Sequence, residues 1–248
     1  MILDYKKYKY SSKDILINAL MWIVSSGLIA YFFYRSLLIF IILLLFFPLF
    51  INFRRAGYVF KRQWELMLEF QDFLSAVQVG IYSGNSIENA VLGSYEDMVS
   101  LYTKDGYMTK EIRGIITGLN NNLTLEELFY DLGERSGVEE IMDFAAILAL
   151  AKRSGGNLRE IISECNNCIE EKIDIKRDID VMIAGERLQH RIMCIVPMGI
   201  ILYIQITSPG YLDSLYHNLF GYAVMTGCLL LYIISILWSE KIISSLGK

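Results

Sequence analysis

Residues 15–34 read ILINALMWIVSSGLIAYFFY, and residues 36–53 read SLLIFIILLLFFPLFINF. Only Arg35 separates these uncharged runs of 20 and 18 residues. A helix crosses the hydrocarbon core of a bilayer in about 20 predominantly apolar residues. Two further runs without Asp, Glu, Lys or Arg lie near the other end, Ile192–Leu212 with 21 residues and Ser214–Ser239 with 26. Together they predict four spans, at 15–34, 36–53, 192–208 and 219–238. The whole composition agrees: 54% of the 248 residues are hydrophobic and 20% charged, with a mean hydropathy of +0.39. Soluble domains are roughly 45–50% apolar and about 25% charged. Four cysteines are too sparse for a secreted disulfide scaffold. The apolar content argues against disorder. A net charge of −4 is the wrong sign for a protein that grips nucleic acid.

Lys6, Lys7, Lys9 and Lys13 precede the first span, as in a signal peptide. Its apolar run is too long for an h-region and a second span follows at once, so no cleavage is expected. Lys and Arg also set the orientation. The N-terminal tail holds those four lysines, and Arg54, Arg55, Lys61 and Arg62 follow the second span. Arg187 and Arg191 precede the third span, and Lys241 and Lys248 follow the fourth. The loop over 209–218 has neither residue type. The positive-inside rule then places both termini and the central segment in the cytoplasm. The expected order is a tail at 1–14, a membrane hairpin at 15–53, a cytoplasmic helical domain at 54–191, a second hairpin at 192–238 and a tail at 239–248. Pro48 and Pro197 fall inside spans and are expected to kink them. No Asp, Glu, Lys or Arg lies deep in a span, which weighs against a proton- or ion-driven transporter.

Residues 54–191 hold 16 Lys and Arg against 23 Asp and Glu, a net −7, and the rest of the chain is +3. An acidic domain should avoid nucleic acid and anionic lipid, and could meet a basic partner surface. The segment has no proline, and its apolar spacing is helical. Leu66, Phe70, Phe73 and Val77 recur at three and four residues, as do Ile141, Phe144, Ala145 and Leu148. Thr124 followed by Glu127 forms a capping-box pattern. Gly84-Asn85-Ser86 and Gly155-Gly156-Asn157 read as helix breaks, with Gly ending one helix and a polar residue capping the next. Six helices are predicted, at 60–83, 86–102, 107–119, 124–135, 138–154 and 157–190, the last running into the third span. The segment 73–87 aligns with 145–159 as a weak internal repeat.

Chemistry is scarce. Cys165 and Cys168 form a CxxC, but no second pair or nearby His completes a metal site, so two packing residues on one helix face are expected. His190 and His217 lack a catalytic constellation. Ser154-Gly155-Gly156-Asn157 lacks the Lys and Ser/Thr of a phosphate loop. Any nucleotide hydrolysis in this protein's process is therefore expected of a partner, and no cofactor or metal is implied. The paired acids Glu126–Glu127 and Glu139–Glu140 suit helix N-termini. Tyr31, Tyr34, Tyr211, Tyr216 and Trp238 near span ends read as an interfacial belt.

Residues 73–90, 123–128 and 147–161, in this order and between two pairs of spans, resemble the type II secretion system F domain family. The stretch 147–161, with 184–191 leading into Pro197, is similar to the TadB branch of Tad pilus assembly proteins. The resemblance implies an all-α inner-membrane platform protein without enzymatic activity. Its implied partners are a cytoplasmic assembly ATPase, a paralogous TadC-like platform protein, pilin subunits and the lipid membrane, in a homo- or hetero-oligomer. It carries no catalytic residues over. Its repeated pattern of a helix ending in Gly, a capping residue and a new helix falls on Gly84, Asn85, Ser86, Thr124, Glu127, Gly155, Gly156 and Asn157. The alternative is a membrane sensor or channel with a helical cytoplasmic module. That would need polar groups lining a pore, and the spans offer mainly Asn18, Ser25, Ser26, Gln205 and Thr226.

Overall fold

The structure is a computed structural model that describes residues 4–6, 10, 12–34, 36–154, 158–208, 210–211 and 219–246. Every element among these residues is helical. The chain forms α1 (Ser12–Ile29), a π-helical turn (Ala30–Tyr34), α2 (Leu37–Leu45), α3 (Phe47–Tyr82), α4 (Ile87–Tyr102) and α5 (Tyr107–Asn120). It continues through α6 (Leu125–Ser136), α7 (Glu139–Ser154), α8 (Leu158–Met182), α9 (Ala184–Thr207) and α10 (Leu219–Leu246). These divide into two compact units, Met1–Lys9 with Arg54–Asp174, and Tyr10–Phe53 with Ile175–Lys248.

The second unit is the apolar one. Three helices are long and apolar enough to cross a membrane, over Asp14–Tyr34, Arg159–Thr207 and Phe220–Ile243. A fourth crossing arises if α2 and α3, bent by 44° to one another, form one broken span. The break falls at Phe46, whose N–H turns back to the Leu43 carbonyl at 3.1 Å. Pro48, second in α3, has no N–H to give Leu44, and its ring crowds that carbonyl, which favours the break at this point. Pro197, in contrast, lies within α9, which runs through it without a break. The helix predicted over 157–190 is divided at Ile183, although hydrogen bonds from Ile183 N to Ile179 O (3.0 Å) and Arg187 N to Ile183 O (2.9 Å) continue on both sides.

The interior of this unit is small. Phe32, Phe33 and Tyr34 of the π turn are buried with Leu229 of α10. The Tyr34 hydroxyl lies 3.0 Å from Thr226 Oγ1, and its ring stacks on Tyr222. Tyr34 is thus an internal contact rather than the interfacial residue its place in the sequence suggested. Tyr31, Tyr211 and Trp238 remain exposed, and Tyr216 lies outside the described residues. Leu37 and Phe220 are each 81% exposed, as are many of their apolar neighbours to lesser degrees. A surface of this kind is unfavourable in water and matched to hydrocarbon.

The first unit buries its apolar stripe inward. Phe70 and Phe73 of α3, Phe129 of α6 and Phe144 of α7 form one ring cluster. Phe129 meets Phe144 edge-on at 5.1 Å, and Phe70 meets Phe144 at 5.6 Å. Edge-to-face pairs of this kind contribute roughly 0.5–1.5 kcal/mol each beyond area burial. Leu66, Val77, Met98, Ile112, Leu132, Ile141 and Ile162 complete the core. The α6–α7 hairpin is tight because Gly133 lets the helices meet: a Cβ there would stand 3.0 Å from the Met142 backbone.

Residues 175–182 of α8 group with the apolar unit, and the compact helical unit runs to Asp174. Within the N-terminal segment, Tyr5 is 1% exposed and belongs to the helical unit's core. Three tyrosines stand in this short basic segment, and nothing in their spacing marks Tyr5 as the one that joins the core; only its partners reveal it.

Removing one ring of the cluster tests the core. Phe129→Ala in the full chain should cost about 3–5 kcal/mol of stability, read by pulse proteolysis in detergent. A loss under about 1 kcal/mol would show that the four rings do not anchor this unit.

Candidate functional site

Beside a polar row of Ser75, Gln78, Ser163 and Asn166 between α3 and α8, three groups of polar contacts in the helical unit bear on its N-terminal segment, helix starts and turns. In the first, Tyr5 donates from its hydroxyl to Glu111 Oε1 at 3.0 Å, and its backbone N–H donates to the Arg135 carbonyl at 3.2 Å. Arg135 donates to Glu111 Oε2 at 3.0 Å and to Asp131 Oδ2 at 2.7 Å. The Arg62 guanidinium sits 5.2 Å over the Tyr5 ring and donates to the Asp4 carbonyl at 2.8 Å. Burial, then the nearby Glu111 carboxylate, pushes the Tyr5 hydroxyl far above its ordinary range, so it remains a donor at any physiological pH.

The second place is the start of α5. Its N-cap, Gly106, has no side chain to satisfy the free backbone N–H groups. Glu69 of α3 supplies the missing acceptor, taking the Met108 N–H on Oε2 at 2.7 Å. Glu69 is 7% exposed, and burial raises its carboxyl above the ordinary value although backbone bonds from Met108 and Tyr107 oppose this. One turn on, Tyr102 donates to Asp72. The signal for Glu69 is present in the sequence: it stands on the same helical face as Leu66, Phe70 and Phe73.

The third place holds the turn motifs. Gly84 ends α3 at φ +92°, a conformation that costs glycine little, and its N–H donates to the Ile81 carbonyl at 3.0 Å. Ser86 caps α4, its Oγ accepting from Asn89 N at 3.3 Å. Thr124 caps α6: Oγ1 accepts from Glu127 N at 3.4 Å, and Thr124 N donates to Glu127 Oε2 at 3.1 Å. The fold brings Asn85 and Ser86 beside the start of α6 and the end of α7, around a cleft of about 260 Å³. Ile81, Ile87, Leu125 and Leu148 give it apolar walls, and Glu88, Glu126 and Lys152 are its charged groups. Thr124 and Glu127 lie beside this cleft in sequence but do not line it. Gly155, Gly156 and Asn157 lie outside the described residues.

The paired acid Glu126 stands at the start of α6 as its sequence position suggests, but its partner Lys152 lies 26 residues on, near the end of α7, where no local spacing marks it. Lys152 Nζ lies 3.0 Å from Glu126 Oε1. Burial pushes the Glu126 carboxyl up, but the backbone amide at the start of α6 and Lys152 more than offset this and hold it below its ordinary value.

Elsewhere, Cys165 is half-buried against the core, and Cys168 is exposed. No cluster of three or more potential metal ligands occurs among the described residues. In the apolar unit, Ser239 Oγ lies 2.9 Å from His190 Nδ1; His217 is outside the described residues. The arrangement therefore defines a multi-pass helical membrane protein with an acidic helical unit whose polar groups mostly hold helices and caps together.

Residues 97–206 match the family model of the type II secretion system (T2SS), protein F. The match runs from the end of α4 through α9 and covers 110 of the 248 residues. F-domain proteins are inner-membrane platform proteins of type II secretion or type IV pilus systems, not enzymes. Among curated proteins and among solved structures nothing matches.

Two substitutions test the polar clusters. Tyr5→Phe removes the donor to buried Glu111 and should cost about 1–3 kcal/mol; an unchanged unfolding midpoint would show that the N-terminal segment does not stabilise the unit. Because the folded carboxyl of Glu69 lies above its ordinary 4.5, its stabilising share is full below that pH and is lost as pH rises through the folded value. Unfolding measured from pH 4 to 7 should show the unmodified chain losing stability relative to Glu69→Gln as pH rises. A constant difference across that range would contradict the buried placement of Glu69.

Proposed function

We propose that this chain is the platform protein of a Tad-like pilus or related secretion machine, coupling a cytoplasmic assembly ATPase to pilin polymerisation. The F-domain match carries the reading. Supporting it, apolar helices lie on both sides of the helical unit in sequence, and α3 and α8 each supply residues to both units. That continuity is a covalent route along which force on one unit reaches the other. The acidic balance of residues 54–191, at −7, favours a basic protein surface over nucleic acid as the partner. The basic residues flanking the spans support a cytoplasmic position for both termini and the helical unit, the side on which an ATPase works. A paralogous platform protein and pilin subunits complete the assembly, and the motor's nucleotide stays with the motor.

The test has two arms. The full chain in nanodiscs should bind the purified cognate ATPase at low salt, and deletion of its gene should abolish filament assembly or secretion. No binding together with normal assembly in the deletion strain would refute the reading. Ion flux through the purified chain in liposomes would favour a channel instead.

A further inference from the structure

We propose that the cleft between the α3–α4 turn, the start of α6 and the end of α7 receives a Lys or Arg side chain of the assembly ATPase, with an aliphatic residue beside it. This inference rests on the platform reading above and names the surface it would use. The cleft is large enough for such an insertion, at about 260 Å³, and combines apolar walls with an excess of carboxylates. Its walls, Leu125 and Leu148 among them, are apolar and suited to an aliphatic stem. Its charged groups are two carboxylates, Glu88 and Glu126, against the single ammonium of Lys152.

Glu126 is the pivot. One oxygen, Oε1, takes Lys152, while Oε2 is buried with no hydrogen-bond partner among the described residues. The amide at the start of α6 and Lys152 already offset the cost of burying this charge, and a donor that met Oε2 would stabilise it further. A guanidinium can serve both oxygens once the carboxylate turns toward it. Lys152 can yield its place, because its side chain is 56% exposed whereas that of Glu126 is 14% exposed. An exposed ammonium returns to water at little cost. An anionic ligand would face two carboxylates. A second copy of this chain would bring a segment of −7 against one of −7. A cationic partner side chain has neither penalty, and the same net charge draws it in at low salt.

Affinity for the purified ATPase, measured with the full chain in nanodiscs, separates the possibilities. Glu126→Gln should weaken binding at least about tenfold, as expected when a buried charge pair loses one member. Lys152→Met removes the internal competitor and should tighten binding about threefold, equivalent to roughly 0.65 kcal/mol from RT ln 3. Glu170→Gln, on an exposed face of α8, should leave affinity unchanged and serves as the charge control. Misfolding would weaken the Glu126 and Lys152 variants alike, so their opposite signs distinguish docking from damage. Unmodified affinity in Glu126→Gln, or a Lys152→Met variant that binds no tighter, overturns the cleft as the docking point and leaves the platform reading standing. No binding by the unmodified chain overturns both.

Discussion

A backbone in hydrocarbon has no water to bond, and this constraint governs the apolar half of the molecule. Every peptide group in the membrane has to find its partner inside the chain, which leaves helices as the available element for uncharged runs of this length. The exceptions are informative. At Phe46 the ladder stops, a break that Pro48 favours. At Ala30–Tyr34 the helix widens to a π turn, and three consecutive aromatic residues there become internal contacts. The i→i+5 bonding of such a turn shifts the register of the side chains around the helix. Tyr34 meets Thr226 in this way, giving the first and last spans a polar contact at their packing surface.

The helical unit solves the opposite problem, since it must hide its apolar stripe from water. Four phenylalanines from α3, α6 and α7 supply the centre. Around them, polar side chains satisfy the ends that helices leave open. Thr124 and Ser86 do so locally, each bonding an N–H three residues away. Glu69 does so at long range, reaching the start of α5 from another helix. Tyr5 ties a segment outside the F-domain match to Glu111 and the Arg135 backbone. These long-range ties explain how a unit with so many acidic residues remains a defined bundle.

The proposed platform role asks for no catalytic constellation. Coupling requires surfaces and continuous elements rather than a reaction centre. The cleft beside Asn85 and Ser86 is the place where helix-turn motifs, an incompletely bonded carboxylate and apolar walls coincide. It joins the turn after α3 to the starts and ends of helices within the matched F domain. A partner bound there would touch several helices of the unit at once, which is the geometry that a load-bearing contact needs.

Much of this was written locally in the chain. Long uncharged runs specify membrane helices because the bilayer thickness sets their length. Spacings of three and four, with breaks at Gly84 and after Thr103, specify the central helices because the helical period places those side chains on one face. The capping box at Thr124 is legible because its partners stand three residues apart. Only the tertiary structure could decide that Tyr5 leaves the tail for the core, that Glu69 caps α5, and that Lys152 meets Glu126 beside Asn85. Each of these joins groups far apart in sequence, and no local period records such a meeting. The free energy of the contact exists only once the packed helices have brought its two sides together.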